Sequence, residues 1–179
     1  MNAVNLTTLH ATIKSQIEVQ FPAVQTVESY GRPGERILTP AILFELTGID
    51  PDNPSDIGTE QLVVILRFSA YVIFAKETAG YLLQARSLAA SLMAFINKKR
   101  FGEQIMPAQI VNCEPDDFSP EIETYYTMRI DWTHEAVLGA DVWIGTDILP
   151  VDVYLSYVPY IGIPYEPIYQ KVTNLPPPI

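Results

Sequence analysis

Leu6, Leu9, Ile13 and Ile17 recur at spacings of three and four, the mark of a helix with one buried face. Asn5 or Thr7 is placed to cap its start. Phe21-Pro22 ends it, because the residue before a proline is steered away from helical dihedrals. The pattern then shortens. A strand is expected over residues 24–30, a turn at Gly31-Arg32-Pro33-Gly34, and a second strand over residues 41–49. Residues 50–58, D-P-D-N-P-S-D-I-G, form a polar loop dense in turn formers.

Residues 61–74 predict a third, long strand, rich in β-branched and aromatic side chains. At roughly 3.3 Å per residue it reaches ~45 Å. One parity (Leu62, Val64, Leu66, Phe68, Ala70, Val72, Phe74) is continuously apolar and belongs on a core. The other (Val63, Ile65, Arg67, Ser69, Tyr71, Ile73) is mixed, as expected of a face that something else partly covers.

The most regular helical pattern runs over residues 78–97, with an apolar stripe of Tyr81, Leu82, Ala85, Leu88, Ala89, Leu92, Phe95 and Ile96. Gly102 is placed as its C-terminal cap. The opposite side carries Gln84, Ser87, Ser91 and Ala94, with little charge for a solvated face. Gln84, Ser87 and Ser91, with Tyr71 and Ile73 from the mixed strand face, are therefore the candidate subunit interface. A short strand follows over residues 108–113, then an acidic, proline-punctuated loop over residues 114–121. Tyr126, Met128, Ile130 and Trp132 next alternate with Thr127, Arg129, Asp131 and Thr133, a strand with one buried face over residues 125–138. The expected fold is α+β: a mainly antiparallel sheet of about four to five strands packed by two helices.

After Gly139 the composition changes, and the domain is expected to span residues 1–140. Residues 141–179 form an extended C-terminal arm rich in proline and tyrosine. Prolines at 150, 159, 164, 167 and 176–178 forbid a long helix. Tyr154, Tyr157, Tyr160, Ile161, Tyr165 and Tyr169 make the arm too apolar for an inert linker. Such side chains bury large areas at modest entropic cost, so these six are the candidate partner-binding residues, either on a partner or on the chain's own domain.

Hydrophobic residues make up 48% of the chain and charged ones 18%, a composition that supports a packed core. The longest apolar stretch is interrupted by Arg67, Ser69 and Tyr71 and is too short to span a bilayer, so no membrane partner is expected. The start, MNAVNLTTLHATIK, lacks the basic and apolar regions of a signal peptide, and a lone Cys113 fits a reducing compartment. Synthesis in the cytosol is the expectation. The formal charge of −10 argues against nucleic-acid binding, which needs clustered Lys and Arg. The basic run Lys98-Lys99-Arg100 sits where cations complement a helix C-terminus. An acidic surface does suit DNA that must pass without adhering.

Candidate chemistry is thin. His10 reads as a half-buried helix residue and His134 as a hydrogen-bonded structural one. Asp50, Asp52, Asp56 and Glu60 suggest calcium, but Pro54 and Ser55 stand where an EF-hand loop needs an oxygen ligand and a glycine. Glu114, Asp116 and Asp117 form an acidic run with the same solvated reading. No zinc-ligand spacing, phosphate loop or Gly-x-Ser-x-Gly elbow occurs, and Ser69 and Ser156 have no base near them in sequence. No catalysis and no cofactor are expected.

The layout resembles the tail terminator proteins of bacteriophages, nearest to the Mu-like group of contractile-tailed phages. The residues that carry the resemblance are R-I-D-W-T-H-E-A-V-L-G at 129–139, V-Y-L-S-Y-V-P-Y-I-G at 153–162 and the helix over residues 81–97. The arm after Gly162 is longer and richer in proline than that family leads one to expect. The resemblance implies a virion protein at the tail–neck junction, assembled in the host cytoplasm. It would form a homo-oligomeric ring, six-fold in such tails, on the tail tube and sheath proteins, facing the neck or connector proteins, with DNA passing through unbound. Another head–tail joining protein is the nearest alternative, followed by a non-viral protein-binding module and then a hydrolase using the acidic loops.

Overall fold

The computed structural model describes residues 3–30, 37–52, 58–116, 124–142, 154–157 and 159–171. The turn at Gly31-Arg32-Pro33-Gly34, most of the loop after Asp52, most of the acidic loop after Asp116 and the closing Pro-Pro-Pro-Ile lie outside them. The chain divides into two units, Met1–Val142 and Trp143–Ile179.

The first unit runs α1 (Leu6–Gln20), β1 (Thr26–Ser29), β2 (Ala41–Pro51), β3 (Leu62–Ala75), α2 (Tyr81–Ile96), β4 (Gln109–Pro115) and β5 (Tyr125–Leu138). Asn5 caps α1, its Oδ1 accepting from the Thr8 N–H at 3.1 Å. Phe21 closes the helix, as its position before proline dictates. Leu9, Ile13 and Ile17 are fully buried, so the spacing of three and four maps directly onto the packed face.

The five strands form one sheet in the order β1-β2-β3-β5-β4. β1 lies parallel to β2, and the other three pairings are antiparallel. β3 and β5 pair along their whole length, from Leu62↔Leu138 to Ala75↔Tyr125. This register sets Phe68 opposite Trp132, whose rings stack at 5.2 Å. Even-numbered residues of β3 and β5 therefore share one face with Ile42 and Phe44 of β2, and both helices join the same core. Phe21 meets Phe95 of α2 edge-on at 5.7 Å. The architecture is α+β with the helices layered on one face of a mainly antiparallel sheet.

Two local expectations give way to tertiary contacts. Leu82 does not join the buried stripe of α2 and is 43% exposed. Tyr81 takes the inward place in the first turn, edge-on to Tyr126 at 5.7 Å, and leaves Leu82 facing out. Nor does Gly102 cap α2. The helix ends at Ile96, and the left-handed residue is Lys98, at φ 63°. Its N–H donates to the Ala108 carbonyl and the Ala108 N–H returns to the Lys99 carbonyl, so pairing with the approach to β4 fixes the exit. Gly102 serves the next turn at φ 78°. The strap between α2 and β4 buries Phe101 and Ile105 against the core.

In the second unit, β6 (Tyr154–Leu155) pairs antiparallel with β7 (Gln170–Lys171), enclosing a 3-10 helix, Ile163–Ile168. Within the described residues the arm therefore turns back on itself where an extended run was expected. Gly162, at φ 103°, makes the corner, and Tyr169 fastens it: the Gly162 N–H donates to the Tyr169 hydroxyl at 2.6 Å.

Candidate functional site

The candidate interface residues fall on two different faces. Gln84, Ser87 and Ser91 lie exposed on the outer side of α2, which packs on the even-numbered face of the sheet. Tyr71 and Ile73 are odd-numbered and point the other way. The five do not form one patch. Ile73 is moreover only 4% exposed, paired with the buried Ala41 across the strands, and offers no surface to a neighbour.

The back face of the sheet is graded. Two apolar cross-strand pairs, Ala41↔Ile73 and Val63↔Val137, are buried towards its two ends. Between them runs a polar network whose members sequence reasoning did not join. The Ser69 hydroxyl donates to Asp131 at 2.6 Å, and Arg129 bonds Asp131 at 3.1 Å and Glu114 at 2.6 Å. One strand over, the Tyr71 hydroxyl donates to Glu45 at 3.1 Å. Burial, followed by the Glu45 charge, pushes the Tyr71 phenol up to about 12, so it stays a neutral donor. Alternation along β5 marked Arg129 and Asp131 as polar-face residues, but their partners on β3 and β4 follow only from register.

The outer face of α2 has a different character. Leu83 is 73% exposed beside the small side chains of Ser87, Ala90, Ser91 and Ala94. Arg86 is the only charged residue within the helix. Gln84 donates to the Ala79 carbonyl at 2.8 Å and the Ser91 hydroxyl to the Ser87 carbonyl at 2.9 Å, so both polar groups are turned onto their own backbone. The result is a smooth surface with few groups that hold water.

The tyrosine-rich unit exposes a run of large apolar side chains. Tyr154, Tyr157, Tyr160, Ile161 and Tyr165 are all exposed, and Tyr160 and Tyr165 meet edge-on at 5.7 Å. Tyr169 differs from its five fellow candidates, because its hydroxyl is spent on Gly162.

The titratable groups noted in the sequence are dispersed. His134 is 1% exposed on the core face, whereas Ser69 and Asp131 meet on the back face, so β5 stands between them. The His134 Nδ1–H donates to the Met106 carbonyl at 2.9 Å, which fastens the strap to β5. Burial lowers its tendency to protonate, and the Met106 bond opposes that only in part. Its Nε2 and the Trp132 Nε1 are buried without a hydrogen-bond partner. His10 donates from Nδ1 to the Leu6 carbonyl at 2.6 Å and accepts from the Tyr30 hydroxyl at 3.1 Å, its ring stacked on Tyr30. Burial and the nearby Asp131 and Glu114 charges raise Cys113, which keeps the thiol protonated. Among the described residues no group of three His, Cys, Asp or Glu side chains is arranged to hold a metal ion. Asn97, Lys98, Pro107, Ala108, Gln109 and Ile110 line an open depression of about 430 Å³ where the strap enters β4. Comparison with models of known protein families and with curated proteins finds no match in either case.

Proposed function

We propose that this chain is a structural subunit of a phage tail, closing the tail tube, and in a contractile tail the sheath, as a ring that faces the neck. The observation that carries the reading is the tyrosine-rich unit. Its large apolar side chains between Tyr154 and Ile168 are 40–81% exposed. A unit the length of Trp143–Ile179 falls below the ~40 residues at which a chain usually needs staples or partners to hold a fold. Apolar surface of that kind is stable only when a neighbour covers it.

Other features support the same reading. The outer face of α2 is smooth and nearly uncharged, as a subunit contact requires, and its Gln84, Ser87 and Ser91 would line such a contact. Tyr71 would serve a second contact on the back of the sheet. Two unlike surfaces on one chain join head to tail, and a head-to-tail contact closes into a ring when the rotation permits. A charge of −10 suits a channel through which DNA slides. The partners in this reading are further copies of the chain, tail tube and sheath proteins, and neck proteins, without a cofactor.

Light scattering coupled to gel filtration tests it, with negative-stain microscopy of the same fractions. The full chain is expected to form rings and to bind tail tubes, and a chain lacking residues 150–179 to remain monomeric. A full chain that stays monomeric at micromolar concentration and ignores tail tubes would overturn the proposal.

A further inference from the structure

The charge of the molecule is segregated. Residues 78–102 carry Arg86, Lys98, Lys99 and Arg100 and no carboxylate. The rest of the chain holds the other seven of its 11 cations against all 21 of its carboxylates. Two copies approaching at random therefore repel over most of their surface, and the stretch from Arg86 of α2 to Arg100 just beyond it is where an incoming copy meets positive charge. The same helix presents Leu82 and Leu83 at 43% and 73% exposure.

The tyrosine-rich unit matches that face in kind. Its described residues carry only Glu166 and Lys171 as charges, and the whole of 143–179 adds only Asp147 and Asp152. It is apolar, aromatic and, over 143–179, weakly acidic, where α2 is apolar with one cation, Arg86, and is followed by Lys98, Lys99 and Arg100. Tyrosine faces also attract guanidinium and ammonium groups directly, as the Lys99 ammonium 4.8 Å from the Phe95 ring centre already does within the chain. Tyr157 is 69% exposed and Leu83 73%.

Resting on the ring reading above, we infer that the outer face of α2, around Leu83 and Arg86, receives the tyrosine-rich unit of a second copy. The contact joins two unlike surfaces, so each copy gives one and takes one, and the assembly grows until it closes.

Pairwise cysteine cross-linking between differently labelled copies tests this. In a Cys113→Ser background, one copy carries Leu83→Cys and the other Tyr157→Cys; both sites are surface positions, and circular dichroism verifies the fold. Mixed under mild oxidation, the two are expected to give a disulfide-linked dimer containing one of each. A copy with Val19→Cys, 81% exposed on α1, serves as the control partner for Tyr157→Cys. Arg86→Glu is expected to weaken self-association on the order of tenfold, with Arg86→Lys restoring most of it. Oligomers that form while Leu83→Cys links no faster than the control would overturn this contact and leave the ring reading standing. A monomer throughout would overturn both.

Discussion

Acidification is expected to loosen the strap between α2 and β4 through a single side chain, His134. The imidazole is 1% exposed, packed edge-on against Phe68 at 6.0 Å and Phe101 at 5.8 Å, with Nε2 facing no acceptor. A proton added there would be a charge in an apolar site with nothing to receive its N–H. The folded chain accordingly holds this histidine below its ordinary value. A depressed histidine contributes stability that is complete above its unfolded value of about 6.5 and is lost as the pH falls below it. The unfolded chain then binds a proton that the native state refuses. One such proton costs up to about 1.4 kcal/mol per pH unit, so moving from about pH 7.5 to 5.5 should cost up to about 1.4 kcal/mol from His134 alone. The assay is urea unfolding at fixed protein concentration across that range, comparing the wild type with His134→Asn. The asparagine amide can still reach the Met106 carbonyl but does not titrate. Groups common to both proteins cancel in the difference. Wild-type and variant stabilities that fall in parallel would refute the assignment.

Other outcomes follow from the same geometry. Phe68→Ala, which removes the ring stacked on Trp132, is expected to cost about 3–5 kcal/mol by urea denaturation, and a loss below about 1 would mean the core is not packed as described. Ser69→Ala and Asp131→Ala, combined in a double-mutant cycle, should show coupling of about 0.5–3 kcal/mol, whereas additive effects would deny the bond between them. In an ultraviolet titration, the difference between wild type and Tyr71→Phe should appear near pH 12, the value to which burial and Glu45 push this phenol. Because the folded value is raised, stability is full below about pH 10 and lost as pH climbs from there; a difference signal near 10 would count against the Glu45 contact.

The strands and their faces were legible because the side-chain period is two and the core is continuous. The even-numbered row of β3 and the Tyr126-to-Trp132 alternation of β5 were written in the sequence without interruption. The ends of α2 were not, because Tyr126 and Ala108, distant in sequence, decide which residue turns inward and where the helix stops. The candidate interface was legible as residue types but not as a place. Tyr71 and Gln84 stand thirteen positions apart, and only the packing of α2 on one face shows that they look in opposite directions. The compact turn at residues 154–171 was hidden because it depends on a Tyr169 hydroxyl reaching back to Gly162, a contact no periodicity announces.

The pairing of β3 with β5 has a consequence for biosynthesis. The two strands are neighbours in the sheet but are separated in the chain by all of α2 and β4. At ~5–20 residues per second, a ribosome needs roughly three to a dozen seconds after finishing β3 to deliver its long partner. Throughout that interval the row from Val64 to Phe74 has β2 on one side and an open edge on the other, the moment when edge-to-edge sticking between nascent copies is most favourable. Slowing translation within β4, or starving the cell of chaperones that shield nascent strands, should therefore send this chain into aggregates before it can join any assembly.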